Sequence, residues 1–294
     1  MGRALADAFA ESREVFERAD RALGRPIARL CFDGSAQELA LTENTQPAIL
    51  AASVAALEAL GARGLRPAAA AGHSLGEYTA HVAAGTFDFE TALRTVRARG
   101  AFMQEAVPIG VGTMAAVLGL APEAVVAVCR EAAGDEIVEA ANFNGPSQVV
   151  IAGHAAAVDR AVGAARAAGA RRAVILDVSA PFHCALMRPA AERLRPVLEA
   201  IEFRDPHFAV YVNADAEPVR TAAAAESALV RQVAAPVRWE ESVERMLSDG
   251  IEAFVEVGPG RVLAGLVRGI RKGVLVLSAG DPEGVERVAE ELGR

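Results

Sequence analysis

Cysteine is scarce in this chain: Cys31, Cys129 and Cys184 stand far apart and are odd in number. That argues against a disulfide framework and for a reducing, cytoplasmic setting. No Cys/His cluster has metal-ligand spacing, so neither a metal nor a redox cofactor is expected. An excess of positive charge is lacking as well. The 38 acidic and 30 basic residues leave −8 at pH 7, which disfavours the nucleic-acid backbone as a partner. Uninterrupted apolar runs are short because Arg, Glu, Asp or His breaks each one, so no membrane span is expected. The opening GRALADAFAESREVFERAD carries charges throughout and reads as an amphipathic helix rather than a signal peptide. No tandem repeat of fixed period occurs, and a monomer is expected.

What is present suits a well-filled core. Hydrophobic residues make up 52% of 294 positions, and mean hydropathy is +0.25. That length allows one large α/β domain carrying a smaller one. Helices alternate with short β runs. TQPAILAASVAALEAL (45–60) predicts a helix capped by Thr45, with Pro47 in its first turn and Gly61 at its end. AAAA after Pro67 reads as a short strand, with a helix starting near Glu77 and another over 89–105. The middle of the chain runs strand (113–120), helix from Pro122, two strands joined by Gly145-Pro146, helix (154–169) and strand (171–179). That order is the βαββαβ, ferredoxin-like unit. The reading is therefore an inserted small domain at 107–177 within a large, hydrolase-like parallel-sheet domain built from 1–106 and 178–294. Further strands are expected at 207–214, 251–257 and 274–279.

Gly72-His73-Ser74-Leu75-Gly76 fits G-x-S-x-G, with a strand before it and a helix after. Glycine and serine are common in any strand-to-helix turn, and Ser74 could be an ordinary N-cap. The strand–turn–helix context favours a nucleophile elbow instead. There the hydroxyl projects above the sheet edge, and the Leu75 N–H at the helix start would be one oxyanion donor. A serine needs a base. Of five histidines, His73 should point away from Ser74, while His81, His154 and His207 sit on or beside regular elements. His183, in a loop just after the chain re-enters the large domain, is best placed. Arg99 shares a helix face with Ala92, Val96 and Met103 at about 100° per residue, opposite Arg94 and Arg97. A guanidinium on that apolar side needs an anion, either an internal carboxylate or a substrate. Gly258-Pro259-Gly260 could cradle a phosphate, but a tight turn fits better. Cys184 adjoins His183, yet adjacent side chains diverge, so it is not read as a nucleophile.

GHSLGEY (72–78), FMQEAVP (102–108), NFNGPSQVVIAG (142–153), PFHCALM (181–187) and EVGPGRVL (256–263) occur in one order along nearly the whole chain. Together they resemble the malonyl-CoA:acyl carrier protein transacylase family of fatty acid synthesis. The resemblance implies malonyl transfer from malonyl-CoA to acyl carrier protein, with Ser74 acylated and His183 as base. It implies that Arg99, in R-G-A-F-M, holds the malonyl carboxylate through two hydrogen bonds. It also implies that Gln232, in VRQVAAPVRW, orients the histidine with its backbone carbonyl; read without the family, Gln232 is a polar surface residue. Arg171, Arg172 and the stretch Arg268 to Lys272 are candidates for docking an acidic carrier protein, although solubility explains them more simply. Other readings remain: an esterase or thioesterase on the same elbow, a polyketide-type acyltransferase with another extender unit, or an inactive binder of carrier protein.

The family opens with a strand and a Gly-Gln-Gly-Ser loop whose glutamine supplies a second oxyanion N–H. Met1-Gly2 matches the point just beyond that loop. The preferred expectation is a native protein longer than this sequence; the other is a sheet one strand short with half an oxyanion hole. Loss of one such donor costs about 10²–10³ in rate.

Overall fold

A computed structural model describes residues 1–293. Among the described residues, nine strands are arranged in three sheets. In the large body, β1 (Ala69–Ala71) pairs in parallel with β6 (Ala209–Tyr211), which pairs antiparallel with β7 (Pro218–Val219). A second parallel pair joins β8 (Ala253–Val257) to β9 (Leu275–Ala279). The middle of the chain supplies β2 (Gly112–Leu118), β3 (Val138–Gly145), β4 (Gln148–His154) and β5 (Arg172–Ile175) in the order β3-β4-β2-β5, all antiparallel. Helices Pro122–Ala133 and Ala155–Ala167 complete the βαββαβ unit. That unit has its own apolar core, including Val117, Val125, Val149, Ile151 and Val158. Backbone bonds from Phe143 and to Ala141 tie β3 to Val237 of the large body.

The two parallel pieces do not form one ladder. β1 and β8 each have one partner, and their free edges line the same cavity of about 650 Å³, which reaches Gly72 and His73 at the elbow. All eight residues of these two strands are only half-buried. Core strands of a parallel sheet are normally covered on both sides. The large-body sheet is thus open at its middle.

Other elements differ in their bounds. The opening segment is two helices, Arg3–Ala8 and Ala10–Leu23, broken where Phe9 turns extended. The Phe9 ring there lies 4.2 Å beneath the Arg63 guanidinium. The helix expected from Thr45 begins at Thr42, and the Thr45 hydroxyl donates back to Leu41 O rather than capping. This helix, Thr42–Ala62, is long and apolar enough to cross a membrane by composition, contrary to the sequence expectation. Its buried faces, with Leu50, Val54 and Leu60, make it the central helix of the large body. The helix after the elbow starts at Leu75, not Glu77. The strand expected over 171–179 stops at Ile175.

Candidate active site

The sharp turn at Ser74 follows from the glycine before it. A Cβ on Gly72 would lie 1.9 Å from the carbonyl carbon of Gly76, so only glycine lets strand and helix approach this closely. Gly76 itself borders open space. Ser74 has φ 52° and ψ −104°, and its side chain makes no capping hydrogen bond. The N-cap reading therefore fails. A non-glycine residue in this region costs on the order of 1–3 kcal/mol and needs surrounding structure to hold it.

His183 also has a left-handed φ, 62°, and is buried. Its Nε2 lies 2.7 Å from Ser74 Oγ. Its Nδ1 faces two backbone carbonyls, Gln232 O and Ala235 O, each at 3.1 Å. Two acceptors on Nδ1 place the ring proton there and leave Nε2 free to accept from the serine. Burial, then the Arg99 guanidinium and His73, push the imidazole pKa down to about 3. The ring is neutral at ordinary pH.

Arg99, on helix Phe89–Glu105, is 1% exposed. Its Nη1 donates to Gln46 Oε1 at 2.8 Å; its Nη2 donates to Ser74 Oγ and Gln232 Oε1, both at 3.0 Å. No carboxylate forms an ion pair with it among the described residues, so the internal salt bridge is not what the helix face provides. Burial lowers its pKa from the ordinary value. Ala92, Val96 and Met103 share its buried face as expected and Arg94 is exposed, but Arg97 is half-buried beside Glu43 at 3.8 Å.

Gln232 is buried rather than superficial. Besides the carbonyl facing His183, its Nε2 donates to Ser74 O at 2.8 Å. Leu75 opens the helix, so its N–H lacks an intrahelical partner. The remaining histidines stay clear of Ser74. His73 Nε2 pairs with Asn144 Oδ1 at 2.8 Å, His81 with Thr86 at 3.1 Å. His154 Nδ1 accepts from the Ile137 N–H at 3.0 Å, and His207 packs over Gly85. Cys184 donates to Pro181 O, with burial pushing its thiol pKa up to about 12. Gly258, at φ 106°, presses on Ser53 in a tight turn, as expected of that Gly-Pro-Gly.

Sequence reasoning missed Gln46, Glu77, Asn144 and Asn213. Gln46 is an amide within a run of apolar helix positions, and Glu77 is a carboxylate one turn past the elbow. Both signals were present, but neither named a partner.

The central parallel strands, the strained serine turn and the βαββαβ insertion together define an α/β acyl-transfer fold. The chain belongs to the acyl transferase domain family, whose model matches residues 1–285. It is 42% identical over 293 residues to the malonyl CoA-acyl carrier protein transacylase of Bacillus subtilis, covering 99% of this chain and 92% of that one. Over 287 residues it is 46% identical to the enzyme of that name from Escherichia coli strain K12, covering 97% and 93%. The solved transacylase from Coxiella burnetii superposes with a TM-score of 0.98 at 38% identity, covering 100% and 93%. A malonyl-transacylase in complex with a type II PKS acyl-carrier protein gives 0.97 at 46%, covering 99% and 94%.

Proposed function

We propose that this chain moves a malonyl group from coenzyme A to the phosphopantetheine thiol of acyl carrier protein through an ester on Ser74. His183 Nε2 takes the hydroxyl proton as Oγ attacks the thioester carbonyl. The Leu75 N–H receives the developing oxyanion. Collapse breaks the C–S bond, and the imidazolium returns its proton to the departing thiolate. The carrier thiol then attacks the ester, losing its proton to His183 and expelling Ser74 Oγ, which is reprotonated. A thiol, with pKa about 8.5, is a good leaving group, so a neutral carbonyl opposite Nδ1 suffices where a carboxylate would otherwise stabilise the imidazolium.

One observation carries the malonyl assignment: a buried guanidinium, hydrogen-bonded only to neutral groups and with its Nε unpartnered, 3.0 Å from the serine oxygen. A carboxylate on the acyl group would exchange those amide bonds for charge-assisted ones. Residues 107–177 form the inserted domain in this proposal, supported by the separate core of the βαββαβ unit. Arg268 and Arg271 already bond to Val276 O and Glu244, which leaves Arg171, Arg172 and Lys272 for an acidic carrier.

The test is intact-mass analysis after malonyl-CoA treatment, followed by addition of holo-acyl carrier protein. The expected result is one malonyl adduct at Ser74 that passes to the carrier. Arg99→Ala should slow malonyl loading by roughly 10²-fold, the scale of a lost charge-assisted pair, while sparing acetyl loading. Steady release of free malonate would make the protein a hydrolase, and no adduct at all would end the proposal.

A further inference from the structure

Asn213 stands at the end of β6, where the chain turns back toward β7, and is 1% exposed. Every polar group it owns is engaged. Its side-chain Oδ1 accepts from the Ser74 N–H at 2.6 Å, and its Nδ2 donates to Gly72 O at 2.7 Å. Its backbone N–H donates to Glu77 Oε2 at 2.7 Å, and its carbonyl accepts from the Arg238 N–H at 3.0 Å. One amide thus grips both ends of the tripeptide Gly72–Ser74, in the place where ladder bonds between β1 and β6 run out. Glu77, fully buried in the first turn of the elbow helix, grips the same residue from the other side.

Two consequences follow from this geometry. Ser74 occupies a left-handed backbone conformation, which only external bonds keep populated, and Asn213 supplies a bond on each flank of His73. By consuming the Ser74 N–H, Asn213 also removes it as an oxyanion donor, so the free amide at the helix start is that of Leu75. We propose that Asn213, anchored by Glu77, is a positioning residue that clamps the elbow and thereby sets the Ser74 Oγ–His183 Nε2 approach. This rests on Ser74 being the nucleophile, but not on the acyl group being malonyl.

The two readings separate experimentally by labelling the folded protein with a fluorophosphonate, which reports nucleophilic serine whatever the natural acyl donor. Asn213→Ala should slow both fluorophosphonate labelling and malonyl loading by about 10- to 100-fold, a barrier rise of about 1.4–2.8 kcal/mol. KM for malonyl-CoA should stay within about twofold of the wild type, since the clamp touches no substrate. Asn213→Asp retains an acceptor for the Ser74 N–H but loses the donor to Gly72 O, and should fall between. Should the alanine variant not fold, the Glu77 pair decides: Glu77→Gln, which keeps an acceptor for the Asn213 N–H, should recover most of the rate lost in Glu77→Ala. Unchanged labelling in Asn213→Ala, a rise in KM that accounts for the loss, or equal losses in the two Glu77 variants would overturn the clamp. Wild-type protein that takes the fluorophosphonate but no malonyl would refute the malonyl reading and leave the clamp standing.

Discussion

At the scale of single residues, the base is set by what surrounds it rather than by its own chemistry. An unperturbed imidazole near pKa 6.5 would be mostly protonated in mild acid and unable to accept the Ser74 proton. In this fold, burial and the Arg99 guanidinium hold His183 down to about 3, so Nε2 keeps its lone pair. The sign follows directly: lowering the folded pKa moves the acid limb of kcat/KM, which reports the free enzyme, toward lower pH. At pH 5.5 an ordinary histidine would be only about one-tenth neutral and would give a rate about tenfold below its plateau. The expected result here is a kcat/KM for Ser74 acylation that differs by less than about twofold between pH 5.5 and 6.5. Stopped-flow acylation across that window checks it, and a fall of about fivefold, that of an ordinary histidine half neutral at about pH 6.5, would show that Arg99 and burial do not tune the base.

Among the secondary-structure elements, some of the fold was legible because local pattern and tertiary role agree. Pro122 opening a helix, the Gly145-Pro146 turn and the strand–Gly–Ser–helix pattern all mark places where backbone geometry is dictated locally. Contacts between distant segments left no such mark. Phe9 turns extended between the first two helices with its ring under the Arg63 guanidinium, and nothing near Phe9 announces that contact. Asn213 looks like any turn asparagine until β6 is laid beside β1. Arg99 could be placed on a face by periodicity, yet its neutral partners come from residues 53, 25 and 133 positions away. The cavity between β1 and β8 belongs to this scale as well. Amide groups on those free edges have no ladder partner, whereas both edges of β2 are paired with β4 and β5. Hydrogen exchange should therefore show fast-exchanging amides in 69–71 and 253–257, alternating with protected ones, and slow exchange throughout 115–117. Uniform protection of β1 and β8 would mean that their edges are covered in solution.

For the molecule as a whole, the same burial that prepares the site makes stability depend on pH, with two opposing contributions. His81 and His183 are both held down to about 3 in the folded chain, against an ordinary 6.5. The unfolded chain binds protons there that the folded one refuses, so their contribution is lost as pH falls below about 6.5. Glu77 works the other way. Burial raises its carboxyl from 4.5 to about 7, against the pull of Asn213, Gln232 and Arg99. The folded chain then holds a proton that the unfolded chain releases, so this contribution is complete below 4.5 and disappears as pH rises to 7. His73, whose pKa burial also lowers, acts in the same direction as the other two histidines. Between those limits three histidines thus oppose one glutamate, and Tm should climb toward pH 6.5. Glu77→Gln, which mimics the protonated acid, removes only the opposing part. The difference in Tm, variant minus wild type, should therefore grow steadily from pH 4.5 to 7 and stay level above it. Calorimetric scans of both proteins across that range measure it. A constant difference would assign Glu77 an ordinary pKa and place a full negative charge beneath the elbow, beside Arg99, at every pH where the protein works.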